Sequence, residues 1–146
     1  MGKTALGLLS LMLLAALLAG CGGGMGSAEV EKSLVAFFGE IDQTYKDAGE
    51  PPLKKKDDLM QWKIDLESKQ LEIVDRYLAE NEYPEDINQL MQQMRVGLAS
   101  HINGLEIWLE TGTNRDKAPP EEVAAIDRTV QKSTEAETKL RVEAGL

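Results

Sequence analysis

One thiol, Cys21, and one imidazole, His101, are the only side chains of their kinds in this sequence. A single cysteine excludes a disulfide within the chain, a cysteine-rich zinc site and a CxxCH haem attachment. Nucleophilic catalysis by serine or cysteine also needs a base and an orienting group. No spacing singles out a catalytic carboxylate pair or a phosphate-binding glycine loop. We therefore expect a protein that is not an enzyme.

The lone cysteine ends an apolar segment. Lys3 precedes an apolar run over 5–19, which is shorter than the roughly 20 residues needed to span a bilayer and is typical of a signal peptide. The run ends in Leu18-Ala19-Gly20-Cys21, which resembles the lipobox of bacterial lipoproteins. The resemblance, which covers residues 1–21, implies cleavage before Cys21 and a covalent lipid on its thiol. We expect no other cofactor.

The lipoprotein resemblance also implies a location in the cell envelope. Several acyl chains would anchor the protein stably, at about 0.8 kcal/mol per buried methylene. Gly22 follows the cysteine at the position where aspartate would favour the inner membrane. In a Gram-negative host we therefore expect the periplasmic leaflet of the outer membrane. Four of residues 22–26 are glycine, so we expect 21–26 to be a flexible tether.

The charge balance excludes some partners. The chain has 16 Lys and Arg against 25 Asp and Glu, a formal net charge of −9, and loss of Lys3 with the signal makes it more negative. We expect no nucleic-acid partner, because nucleic acids bind positive surfaces. The basic run over 54–56 is followed at once by Asp57 and Asp58. We interpret it as a solvated loop or first helical turn, not a headgroup-binding patch.

Apolar residues recur at helical spacing in four blocks separated by prolines. The blocks predict helices over 27–48, 57–81 and 84–111, and a fourth that begins at Pro119 or Pro120. The back half of the fourth helix, 131–146, is mostly polar, and we expect it to fray. The first helix carries one apolar stripe, formed by Val30, Leu34, Phe37, Phe38, Ile41 and Tyr45.

Helices of similar length with modest connections predict an all-α fold, a four-helix up-down-up-down bundle. No segment shows the sustained alternation of a β-strand, and the apolar phase of the third helix passes through the hairpin-like Asn103-Gly104 unbroken. We expect a signal peptide over 1–20, the lipidated cysteine and tether over 21–26, and the bundle domain over 27–146.

The second helix has an unusual polar strip. Its apolar residues form two seams, one of Leu59, Trp62, Leu66, Ile73 and Tyr77, the other of Met60, Ile64, Leu71, Val74 and Leu78. Between them lie Lys63, Glu67 and Gln70. We favour a helix that touches two neighbours, with these side chains reaching outward and Lys63 paired to Glu67. The alternative is a buried polar network that forms a ligand site.

His101 lies on the apolar side of the third helix, which Met94 and Met91 continue toward the N-terminus. Thioether and imidazole suit copper(I), so a soft-metal site is one hypothesis. The alternative is that the methionines fill gaps in the core and His101 makes a hydrogen bond at its edge. We favour the alternative and expect no metal, because both methionines lie at least a full turn from His101.

A face of the third helix without charge suggests a contact surface. It carries Val96, Gly97, Ser100, Gly104 and Ile107. Each glycine costs about 1 kcal/mol relative to alanine in a helix, so something should compensate. A line of small residues lets another backbone approach closely. The first or fourth helix of the same chain can fill this groove, but the few large apolar residues after Val130 leave room for an outside helix.

These features predict a lipid-anchored, non-catalytic module of the cell envelope that has an interaction or structural role. An assembly factor, an inhibitor-like partner and an accessory subunit all fit, with a protein partner or a second copy at the uncharged face. The alternative is a helical bundle that binds a small ligand or a soft metal such as copper.

Overall fold

The computed structural model describes residues 24–146. It contains four α-helices: α1 Ser27–Ala48, α2 Lys56–Glu80, α3 Glu85–Glu110 and α4 Pro120–Glu143. The described residues include no β-strand, so the all-α prediction is confirmed. The predicted helix boundaries, where we gave them, lie within one residue of the observed ones. The signal peptide and Cys21 lie outside the described residues.

Local sequence explains where the helices begin and end. The Glu29 carboxylate accepts a hydrogen bond from the Gly26 backbone N–H at the start of α1, 3.0 Å away, which satisfies one free donor of the first turn. Gly49 ends α1 with a φ of 66°, a conformation that glycine adopts without a steric penalty. Pro120 occupies the first turn of α4, where its missing N–H has no cost.

The four helices pack in a square. Each helix contacts its neighbour along the chain, and α1 also contacts α4, whereas the backbones of the diagonal pairs α1–α3 and α2–α4 stay apart. The connections are short, so consecutive helices run antiparallel. This arrangement is the up-down-up-down bundle that the sequence predicted.

Two apolar cores lie at opposite ends of the bundle. The upper core contains residues from all four helices: Val30, Leu34, Phe37, Phe38, Ile41, Val74, Tyr77, Ile87, Met91, Met94, Leu140 and Ala144. The lower core contains buried residues of α2, α3 and the connection before α4: Met60, Ile64, Ile102, Leu105, Trp108 and Ala118. Val123 and Ile126 of α4 pack against it. The start of α1, the end of α4 and the α2–α3 connection therefore lie at the upper end.

The back half of α4 does not fray, so that prediction was wrong. Ala136, Leu140 and Ala144 are buried, and the helix continues to Glu143. The Arg141 guanidinium lies 4.3 Å from the centroid of the Phe38 ring and pairs with Asp42 at 2.8 Å. This segment is held by one large apolar side chain, two alanines and a cation over an aromatic face.

Residues expected in the tether contact the bundle. The Met25 N–H donates a hydrogen bond to the Glu82 carbonyl oxygen at 3.1 Å, and the Met25 side chain packs against the upper core. Met25 and Gly26 are therefore part of the folded unit. Among the described residues, no helix combines the length and hydropathy needed to cross a membrane.

Candidate functional site

A polar chamber lies between the upper and lower cores, at mid-height in the bundle. It has a volume of about 200 Å³ and is lined by residues of all four helices. The polar lining residues are Tyr45 from α1, Glu67 and Gln70 from α2, His101 from α3, and Ser133, Thr134 and Glu137 from α4. Ile41, Met94, Gly97, Leu98 and Val130 complete its wall. The helices therefore bring together polar residues that are far apart in the sequence.

Glu67 and His101 link α2 to α3 across the chamber. His101 Nδ1 lies 2.9 Å from Glu67 Oε1 and 2.8 Å from Oε2, and both side chains are largely buried. A ring nitrogen this close to a carboxylate carries the proton and donates it, so in the neutral ring Nε2 is an acceptor. The prediction that His101 makes a hydrogen bond at the edge of the core is confirmed.

The polar strip of α2 does not reach outward as we expected. Glu67 pairs with His101, and no ion pair joins it to Lys63 among the described residues. Gln70 is buried. The preferred interpretation was therefore wrong for these two residues, because the neighbouring helices supply polar partners inside the bundle. Lys63 is half-buried and faces a second cavity toward the lower core.

Gln70 belongs to a chain of hydrogen bonds with α1. Its Nε2 donates to Thr44 Oγ1 at 3.1 Å, and the Thr44 hydroxyl donates to the Ile41 carbonyl oxygen at 2.6 Å. Because the Thr44 proton is used in this way, its oxygen can only accept from Gln70. The orientation of the Gln70 amide is therefore determined by the network. Its nitrogen faces Thr44, and its oxygen has no hydrogen-bond partner among the described residues.

The α4 side of the chamber carries two hydroxyls and a carboxylate. Ser133 Oγ donates to the Met94 carbonyl oxygen at 3.2 Å, and Thr134 Oγ1 donates to the Val130 carbonyl oxygen at 3.0 Å. Glu137 Oε1 accepts a hydrogen bond from Arg141 Nε at 3.0 Å. Hydrogen bonds from Arg141 to Asp42 and Glu137 raise the pKa of its guanidinium, which stays charged.

The soft-metal hypothesis loses one of its three ligands. Met91 is fully buried in the upper core and does not line the chamber, whereas Met94 and His101 both do. Among the described residues, no group of three or more His, Cys, Asp or Glu is placed to hold a metal ion. That the protein binds no metal stays the expectation, and copper binding by Met94 and His101 stays the weaker alternative.

The glycines of the uncharged α3 face are covered by α4 of the same chain. A Cβ atom on Gly97 would lie 2.2 Å from Ser133 Cβ, and one on Gly104 would lie 2.5 Å from Ile126 Cδ1. Of the two interpretations of this groove, filling by a helix of the same chain is therefore the correct one for the glycines, because α4 needs little side-chain volume to fill it; their assignment to a partner surface was wrong. Val96 and Ile107 stay 51% and 45% exposed, and Ser100 is half-buried. A partner at these three residues stays a prediction.

Several chamber residues could not be found from the sequence. Ser133, Thr134 and Glu137 look like ordinary polar positions of amphipathic helices. Glu67, Gln70 and His101 each interrupt an apolar side and were singled out, but separately. Their contact depends on the register between α2 and α3, which helical periodicity does not report.

The chain was compared with protein-family models, curated proteins and solved structures, and no match was found in any of the three.

Proposed function

We propose that this protein is a lipid-anchored, non-catalytic module of the bacterial cell envelope that acts by binding another molecule. The lipobox-like Leu18-Ala19-Gly20-Cys21 supports the anchor. The observation that carries the proposal is the attachment of Met25 to the bundle. An extended chain covers at most about 3.6 Å per residue, so a lipid on Cys21 would lie within about 14 Å of Met25.

This short link would orient the bundle. The upper end, with the start of α1 and the α2–α3 connection, would face the membrane, and the lower end would point away from it. The link leaves too little chain for the bundle to move far from the lipid surface. Partners would then be other envelope molecules that reach the sides or the lower end of the bundle.

A cysteine variant tests the anchor. Cys21→Ser should block lipidation and cleavage at this site, because serine has no thiol to accept the lipid. We expect an uncleaved precursor that does not incorporate a labelled fatty acid, whereas the native chain is labelled and fractionates with membranes. Correctly processed, acylated protein from the variant would refute the anchor.

A surface variant tests the partner. Ile107→Glu places a charge on the exposed α3 face and should weaken self-association, or cross-linking to one identified envelope protein, while the bundle stays folded. Val35→Glu is the matched control, because Val35 on α1 has the same exposed fraction, 45%. Equal effects of the two substitutions on association, or unfolding of the Ile107 variant alone, would exclude this face as the contact surface.

A second candidate function is the binding of a small molecule in the chamber. The specific observation in its favour is that all four helices contribute polar side chains to one cavity, as in bundles that bind ligands between their helices. A small molecule retained in native mass spectra of the full chain would support this function, even if no protein partner is captured.

A further inference from the structure

We propose that the chamber binds a small organic cation with N–H donors, such as an alkylammonium or diamine. The inference rests on the second candidate function and adds the chemical class of the ligand. Its basis is the number of donors and acceptors that the chamber wall leaves free, which the hydrogen bonds of the lining residues determine.

The hydroxyl protons around the chamber are already used. Ser133 and Thr134, the two α4 hydroxyls of the wall, each donate to a backbone carbonyl oxygen of their own or a neighbouring helix. A hydroxyl has one proton, so these two groups can offer a ligand only their oxygen lone pairs. Tyr45, at the outer rim and 51% exposed, is the remaining hydroxyl of the wall.

Gln70 provides an acceptor in the same wall. The residue is 3% exposed, and its amide nitrogen is bound to Thr44. The amide oxygen has no hydrogen-bond partner among the described residues, and none of the fully enclosed side-chain polar atoms there lacks one, so this oxygen is open to the chamber. A ligand N–H would satisfy it, whereas a carbonyl or ether oxygen would not.

The charges of the chamber favour a cation. Glu67 and Glu137 both line it. Glu67 accepts from His101 and Glu137 from Arg141, but a carboxylate has about four lone-pair positions, so both retain acceptor capacity. In the neutral ring, His101 Nε2 is also an acceptor. An anionic ligand would be repelled by these two carboxylates. A neutral ligand that carries only acceptor atoms would find almost no hydrogen-bond donor in the wall.

The size of the chamber limits the ligand. A volume of about 200 Å³ corresponds to about seven water molecules at roughly 30 Å³ each. A linear diamine of four or five carbons fits this space. The Tyr45 ring at the rim adds an aromatic face that a cation can approach.

The test uses the full chain in detergent, without a polyhistidine tag, and diaminobutane as the probe. His101 is the only histidine, so its imidazole NMR signals have no overlap from other histidines. It lines both the chamber and the second cavity, and the variants below assign the site. We expect diaminobutane to shift these signals saturably at concentrations up to about 10 mM, a weak but specific affinity. Butanediol, a neutral molecule of the same length, should shift them at least about tenfold less.

Charge-neutralising variants locate the binding site. Glu67→Gln keeps an acceptor for His101 but removes the charge, and should lower the diaminobutane affinity at least about tenfold, because hydrogen bonds to charged groups are the stronger ones. Glu72→Gln on the same helix is the matched control, since Glu72 is exposed and does not line the chamber. Gln70→Leu removes the free amide oxygen and should also lower the diaminobutane affinity. If the Gln70→Leu variant does not fold, Glu137→Gln is used in its place and removes the charge of the second chamber carboxylate.

The possible outcomes separate the inference from the functions proposed above. Equal affinities of the Glu67→Gln and Glu72→Gln variants, or tighter binding of butanediol, would overturn the cation class but leave ligand binding intact. No response of His101 to either molecule would overturn the inference and count against the second candidate function. The lipid anchor is tested independently by Cys21→Ser.

Discussion

The upper and lower cores of the bundle differ in how completely they are enclosed. Among residues 24–146, the seven largest fully buried side chains all belong to the upper core: Leu34, Phe37, Phe38, Ile41, Val74, Met91 and Leu140. The lower core has no residue from α1. Its cover comes instead from the α3–α4 connection, where Ala118 is buried and the Thr113 N–H donates to the Trp108 carbonyl oxygen.

This difference shows how one bundle can combine a stable end with an adaptable one. The free energy gained by burying apolar surface scales with the area removed from water, so most of it should come from the upper core. The chamber lies at the boundary, where the packing changes from four helices to three. Binding sites and mobile segments commonly belong to the less stable part of a protein.

The largest expected effect comes from matched leucine substitutions in the two cores. Leu34→Ala should lower the free energy of unfolding by about 3–5 kcal/mol and Leu105→Ala by about 2–3 kcal/mol, because Leu34 is 0% exposed and Leu105 5% beside fewer helices. Urea unfolding followed by circular dichroism measures both. An equal or larger loss for Leu105→Ala would contradict the comparison.

A smaller effect is expected at the chamber wall. Gly97→Ala should destabilise the bundle by about 1–3 kcal/mol, since its Cβ would lie within 2.6 Å of both Ser133 Cβ and Oγ and α4 would have to shift. Gly39→Ala is the matched control in α1, where a Cβ meets nothing within 4 Å. It should stabilise by up to about 1 kcal/mol. Thermal unfolding of both variants would show whether the signs differ; a stabilising Gly97→Ala would mean that α3 and α4 are not closely packed.

The smallest expected effect is a pH dependence of the free energy of unfolding that arises in the upper core. Burial, followed by the hydrogen bond to Glu40, raises the pKa of Tyr77 to about 12, above its usual value of about 10. Between these pH values the unfolded chain loses the phenol proton first, so stability falls as pH rises from about 10 to 12. One proton contributes at most about 1.4 kcal/mol per pH unit.

The tyrosine substitution isolates this contribution. Tyr77→Phe removes the titrating group, so the alkaline loss of stability should become less steep than in the native chain. Tyr45→Phe, at an exposed position, should leave the slope as it is. Urea unfolding at several alkaline pH values measures the slopes, and identical slopes for the Tyr77 variant and the native chain would show that Tyr77 is not the group responsible.

Much of the fold was predictable because it depends on local patterns. Helical periodicity and the proline and glycine positions placed the helix boundaries within one residue, and the α1 stripe correctly identified its five buried apolar residues. The sixth, Tyr45, is half exposed, because the upper core ends at Ile41 and the chamber begins there. Periodicity reports which side of a helix is apolar but not where along the helix a neighbour stops.

The errors concern the contacts between helices. The polarity of 131–146 suggested fraying, yet Arg141 over Phe38 and the buried Leu140 hold the end of α4. The glycines of α3 left a helix of the same chain and an outside helix both open and were assigned to a partner surface, yet Ser133 and Ile126 of α4 fill the groove. In both cases small side chains permit close packing, and the hydropathy of a segment does not measure how close two backbones can come.

By itself, the sequence determined the helices, their order and the all-α class, because spacing, capping and turn residues act within a few positions of the chain. Only the tertiary structure decided that Glu67, Gln70, His101 and Glu137 share one chamber. Their meeting depends on the rotation and axial register of four packed helices. Rotation and register are determined by how side chains of neighbouring helices fit together, and the sequence of one helix does not contain that information.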